Sequence, residues 1–195
     1  LNVVLIVALV MFFAAGVWVP WATAAAVSED VLVDSGDTKI FVHIKGEKSG
    51  APVLLHLPGG PANPMGILSF EAYPGPALEK EFIVAYMHQR GVLESPDVPD
   101  SSLTVENHVR DVDAVVEYLR KKFGKNQISL IGHSWGGTLG FLYLLEHEDK
   151  IDRFIDAAGP LNMKATYLAS YEMTLQWAQD NRFDRPITDL RSIGS

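Results

Sequence analysis

The chain has 195 residues, no cysteine and a formal net charge of −8. That length suits one domain with a substantial core. The negative charge argues against a nucleic-acid partner, whose affinity rests on Lys and Arg meeting phosphates, and the lack of cysteine excludes disulfides and thiolate-held zinc or iron–sulfur sites.

Residues 1–27, LNVVLIVALVMFFAAGVWVPWATAAAV, carry no charge, and the first charged residue is Glu29. An apolar run, then Pro20, then the A-x-A patterns Ala22-Thr23-Ala24 and Ala24-Ala25-Ala26 predict a signal peptide. No basic stretch precedes the run, and about 20 apolar residues can also span a bilayer, so an uncleaved membrane anchor is the alternative. Either way the expectation is an exported (periplasmic or extracellular) or membrane-anchored protein. The nearest Lys or Arg is Lys39, so no orientation can be read.

Residues 31–34 and 39–45 predict two strands joined by the turn Asp34-Ser35-Gly36-Asp37. PVLLHLPGGPANP, residues 52–64, is an apolar run ending in a Gly/Pro-rich loop, the pattern of a strand buried on both faces. Residues 66–80 predict a helix broken by Pro74 and Pro76, and 81–91 a second buried strand with its exit loop. Residues 103–124 predict an amphipathic helix with Thr104 as N-cap, Gly124 as C-cap, and Val109, Val112, Val116, Leu119 and Phe123 on one face. A strand over QISLIGHS, a helix over WGGTLGFLYLLEHE, a strand over IDRFIDAAGP and a helix over 162–181 complete the series. Strands alternating with helices imply a mostly parallel sheet with helices on both faces, an α/β protein.

Gly132-His133-Ser134-Trp135-Gly136 matches G-x-S-x-G between an apolar strand and an apolar helix, the context that this motif requires. Ser134 on a sharp strand-to-helix turn is a candidate nucleophile, and Gly132 and Gly136 supply the absence of Cβ that such a turn needs. The helix that follows points free backbone amides at the serine, where they favour developing negative charge. An oxyanion hole needs two such amides. Trp135, after the serine, supplies one, and Gly60 in the loop after the first buried strand supplies the other.

PVLLHLPGGPANP, YMHQRG and SLTVENHVRDVDAVVEYLRKKFGKNQISLIGHSWGG together resemble the prolyl aminopeptidase (proline iminopeptidase) group of α/β-hydrolases, over about residues 35–195. That group carries an HGGPG oxyanion loop, a DQRG motif and a GxSWGG elbow. The resemblance implies an eight-stranded, mostly parallel sheet with a helical cap after the sixth strand. The chain then divides into a leader or anchor (1–27), the N-terminal part of the core (28–160, about six of the eight strands) and the start of the cap (161–195). It also implies removal of N-terminal residues from peptides, with esterase, lactonase or other amide-hydrolase activity as the alternative within the fold. A non-catalytic relic or tethered binding protein is the reading from another class. Carried over, Ser134 is the nucleophile and Trp135 and Gly60 the oxyanion amides. Glu172 in the cap is a candidate for binding the substrate's amino terminus. No metal or cofactor is expected. Two motifs depart from the pattern: HGGPG reads Pro58-Gly59-Gly60-Pro61-Ala62, and DQRG reads His88-Gln89-Arg90-Gly91.

The group's order is Ser, then Asp, then His. After Ser134 the only histidine is His147, about 20 Å along a helix and out of reach. His133 is expected to point away from Ser134, and His43, His56 and His108 to be structural or exposed. His88 is the one substitute base to consider, and Asp156 a late-strand acid with nothing to orient. The expectation is that the acid and histidine are not encoded in these 195 residues. The chain alone should then be a poor catalyst, with its sixth strand a bare apolar edge open to self-association.

Overall fold

The computed structural model describes residues 25–193. Residues 1–24, which hold nearly all of the expected signal peptide or anchor, lie outside the described residues. No helix among the described residues is long and apolar enough to cross a membrane.

Six strands form one sheet: β1 (Val27–Asp34), β2 (Lys39–Gly46), β3 (Val53–Leu57), β4 (Ile83–Met87), β5 (Ile128–His133) and β6 (Ile151–Ala157), in the order β1-β2-β4-β3-β5-β6. The β1/β2 and β2/β4 pairs are antiparallel, whereas β3/β4, β3/β5 and β5/β6 are parallel. The expected mostly parallel sheet is therefore present, with a hairpin at one edge. β3 and β4 are buried at every position, as strands covered on both faces must be.

The described residues also form six α-helices: α1 (Pro64–Ala72), α2 (Gly75–Leu78), α3 (Val105–Phe123), α4 (Trp135–His147), α5 (Met163–Asp180) and α6 (Asp184–Ile193). The main core lies between one face of the sheet and α3 and α4. Val53, Leu55 and Leu57 of β3 and Ile83, Ala85 and Met87 of β4 meet Val112, Val115, Val116 and Leu119 of α3 and Leu139 and Tyr143 of α4. Because strand side chains alternate, Leu54, His56, Val84 and Tyr86 face the other way. There Phe70 of α1 stacks on His56 and meets Tyr86 edge-on.

The strong local signals agree with the structure. Thr104 caps α3, its Oγ1 accepting from the Asn107 N–H at 3.2 Å, and Gly124 ends it in the left-handed region at φ 61°. The helix expected over 66–80 is split as Pro74 and Pro76 require, into α1 and α2. Two elements differ from expectation. β1 begins at Val27, four residues before the expected strand, because polar Ser28-Glu29-Asp30 are held by pairing with Lys45, Ile44 and His43 rather than by their own propensity. Helix α6 is not among the expected elements.

The far edge of the sheet is β6, which pairs only with β5 among the described residues. It is open but not bare. Asp152, Arg153 and Asp156 are exposed beside Ile155, and such charges hinder edge-to-edge pairing. α5 is exposed over most of its length and shows Tyr167, Leu168, Met173 and Trp177 to solvent.

Candidate active site

Ser134 sits between β5 and α4 with φ 52° and ψ −118°, a conformation that side chains rarely adopt. Its backbone is pinned from both sides. The Ser134 N–H donates to the Ala157 carbonyl at 2.9 Å, and its carbonyl accepts from Gly137 and Thr138 at 2.9 and 3.2 Å. The flanking glycines are there for space. A Cβ on Gly132 would stand 2.5 Å from the Gly136 carbonyl carbon and 2.7 Å from the Gly137 nitrogen. One on Gly136 would stand 2.5 Å from the Leu57 carbonyl carbon and 2.8 Å from the Pro58 oxygen. Strand, turn and helix thus come close enough that only glycine fits at either side of the serine.

The loop after β3 runs beside this turn. Gly59 faces it directly: a Cβ there would lie 3.4 Å from Ser134 Cβ and 3.1 Å from His133 Nδ1. Gly60 is exposed, with φ 127°, a region open to glycine alone. Neither the Gly60 nor the Trp135 backbone N–H finds an acceptor among the described residues. Of the two glycines in this loop, Gly59 is the one packed against the serine turn.

The loop is braced from beneath by Gln89 of the HQRG motif, a residue to which the sequence assigned no role. Its Nε2 donates to the Pro58 carbonyl at 3.1 Å, and its Oε1 accepts from the Ala62 N–H at 2.7 Å. Beside it, Arg90 is wholly buried. Its Nε and Nη2 donate to the Asp111 carboxylate at 2.7 Å each, and the guanidinium also reaches Asp37 and the Ser102 carbonyl. The Ser35 hydroxyl donates to Asp111 at 2.5 Å. So the acid missing from the HQRG motif leaves no orphan cation: Asp111 of α3 is the partner. A signal for it existed, since position 111 lies between the buried positions 108 and 115 on the inner face of the helix.

No side chain among the described residues hydrogen-bonds to the Ser134 hydroxyl. His88 is buried against Phe41, its Nδ1 2.8 Å from Glu94 Oε2 but poorly aligned for a hydrogen bond. Burial pushes its pKa down, against the pull of Glu94. His147 packs on Tyr143 at the far end of α4. His108 Nδ1 donates to the Thr104 carbonyl at 2.8 Å, and its ring meets Trp135 edge-on. His133 is exposed, with its ring beside Gly59 rather than turned wholly away from the serine turn. Asp156 Oδ1 accepts from the Gly159 N–H at 2.8 Å and so shapes the loop after β6. Glu172 is exposed on α5. No cluster of three or more metal-ligating side chains occurs among the described residues.

His56, two residues before this loop, is 1% exposed, stacked on Phe70 at 3.7 Å, and unpartnered at both ring nitrogens. Burial, helped by His133, pushes its pKa down to about 3. The folded state therefore holds the neutral ring. As pH falls from about 6.5, the unfolded chain takes up a proton that the folded one refuses, and stability drops until pH reaches the folded value. His56→Met should remove this acid-side loss. The urea midpoint of the variant, relative to the parent, is expected to rise steadily between pH 6.5 and 4, and a pH-independent offset would show that His56 is not the group responsible.

These features define a class. A family model for the alpha/beta hydrolase fold matches residues 52–185, and the chain belongs to that family. Among curated proteins it is similar to the probable aminopeptidase YbaC of Bacillus subtilis (strain 168), at 29% identity over 67% of this chain and 41% of that protein. It is also similar to a proline iminopeptidase of Chitinophaga pinensis, at 34% identity over 56% of this chain and 36% of that protein. The chain thus spans about two fifths of the curated relatives' length. Among solved structures it resembles a proline iminopeptidase-related protein of Thermus thermophilus, with a TM-score of 0.56 and 25% identity over 67% of this chain and 44% of the other. An epoxide hydrolase of Vigna radiata gives 0.54 and 27% over 68% and 38%.

Proposed function

We propose that Ser134 is the nucleophile of an acyl-transfer hydrolase that releases N-terminal residues from peptides. The observation that carries the reading is the serine turn itself: Ser134 at φ 52°, walled by Gly132 and Gly136, with Gly59 of the loop after β3 packed against it. In the reaction the Ser134 oxygen attacks the carbonyl of the first residue, the Trp135 and Gly60 amides receive the oxyanion, and the leaving amine departs with a proton from the group that deprotonated the serine; water then attacks the acyl ester, freeing the residue as its acid and returning the proton to the Ser134 oxygen. The similarity to an aminopeptidase and to proline iminopeptidases supports peptides as the substrate class.

No described histidine hydrogen-bonds to Ser134, so the 195-residue chain is expected to be a weak catalyst by itself. Loss of a triad member leaves roughly 10³–10⁴-fold acceleration over water, from binding and the oxyanion hole. An activated ester reduces the need for a base and so tests the serine directly. The chain should form a covalent acyl adduct at Ser134 with the p-nitrophenyl ester of proline, detected by intact mass and peptide mapping, and Ser134→Ala should form none. Faster acylation by the free-amino ester than by its N-blocked form supports the aminopeptidase reading. Equal rates favour a general esterase or amidase, and absence of any adduct at Ser134 sinks acyl transfer altogether.

A further inference from the structure

We infer that Gln89 is a positioning residue that sets the shape of the 58–62 loop and thereby aims the Gly60 N–H; the inference rests on the acyl-transfer reading of the same site. Gln89 is 1% exposed, and its carboxamide spans the loop from below. One end donates to the Pro58 carbonyl, before the two glycines, and the other accepts from the Ala62 N–H, after Pro61. Donor and acceptor are both needed, and only one orientation of the amide satisfies the two contacts. The loop has little else to hold it. Residues 60–64 are exposed, and both Gly60 and Ala62 lie at positive φ, 127° and 60°. Ala62 in the left-handed region is strained, and such strain persists only where neighbouring structure over-determines it. The Gln89 contact to the Ala62 N–H does so.

The position of Gln89 is fixed in turn. It lies just past the end of β4 and precedes Arg90, whose buried pairing with Asp111 anchors the segment to α3. The chain of contacts therefore runs from α3 through Arg90 and Gln89 to the loop that carries Gly60.

The test uses Gln89→Leu and Gln89→Glu in the full chain. A protonated glutamic acid can copy both contacts of the amide, whereas a carboxylate must face the Pro58 carbonyl with a second acceptor. In Gln89→Leu, hydrogen exchange at the Ala62 amide is expected to rise about tenfold relative to the parent, and the Gly60 amide resonance to move. Gln89→Glu should match it at pH 7 and return toward the parent as pH falls and the buried carboxyl takes up its proton. That pH-dependent rescue is not expected of a residue that merely fills space. Unchanged Ala62 exchange, a Gln89→Glu effect with no pH dependence relative to the parent, or equal acceleration of all core amides would overturn the inference. Acylation of Ser134 by the prolyl ester is followed in the same samples. A rate in Gln89→Leu equal to the parent's also overturns the positioning role. No adduct in the parent, with the exchange results as expected, defeats the acyl-transfer reading while leaving the clamp on the loop intact.

Discussion

Replacing Gly136 by alanine is expected to cost the fold about 4 kcal/mol or to prevent it from forming. The cause is contact between backbones, which has no cheap escape. The added Cβ meets the carbonyl of Leu57 and the oxygen of Pro58, both fixed at the end of the buried strand β3. A flexible side chain in that place would rotate aside, but a strand bonded on both edges to β4 and β5 cannot. Gly132→Ala should behave similarly, since its Cβ would enter the first turn of α4. Gly50→Ala is the control: nothing lies within 4 Å of its Cβ position and its φ is not positive, so it should be neutral or stabilise by about 0.5 kcal/mol. Chemical denaturation of the three variants decides the matter. A Gly136→Ala protein within about 1 kcal/mol of its parent would mean that the turn is looser than its contacts require.

The second large effect belongs to Asp111. Asp111→Ala strips the partner from a guanidinium with no exposure and also leaves the Ser35 hydroxyl without its acceptor. Asp37, at 3.4 Å and nearly half exposed, is a poor replacement. Breaking a buried pair from one side costs about 3–5 kcal/mol, a large share of a domain's typical 5–15. The double variant Arg90→Met/Asp111→Leu should lose less than Asp111→Ala alone, because no uncompensated charge remains buried. The urea midpoint of the double variant should therefore lie above that of Asp111→Ala. The reverse order would show that the pair is worth more than the isolated charge costs.

The features legible in the sequence were those set by local chemistry. Apolar runs with abrupt punctuation marked β3, β4 and β5, the 3.6-residue period marked α3, and the glycine spacing marked the turn at Ser134. What stayed hidden was set by partners distant along the chain. The polar start of β1 is a strand because β2 lies against it. Asp111 shares the inner face of α3 with positions 108 and 115, which the helical period marks, but that its partner is Arg90 is not written in any local pattern. Gln89 stands in a motif that the sequence shows, but its role exists only because β4 ends beneath the loop after β3. His56 looked like an ordinary strand residue, and nothing local foretold a buried ring without a partner. The motif departures Pro58 and Ala62 are legible in the sequence too, yet the structure shows both of them tied to Gln89.

Ser134 is, on the proposal made above, a positioned nucleophile with no base engaged on it among the described residues. A time course of the 195-residue chain with a fluorophosphonate, followed by intact mass and site mapping, reads out both the nucleophile and its activation. One adduct is expected, confined to Ser134, forming over hours rather than minutes and absent from Ser134→Ala. Labelling of Ser134 within minutes would contradict the absence of a base, and an adduct at another residue with Ser134 untouched would contradict the assignment of the nucleophile.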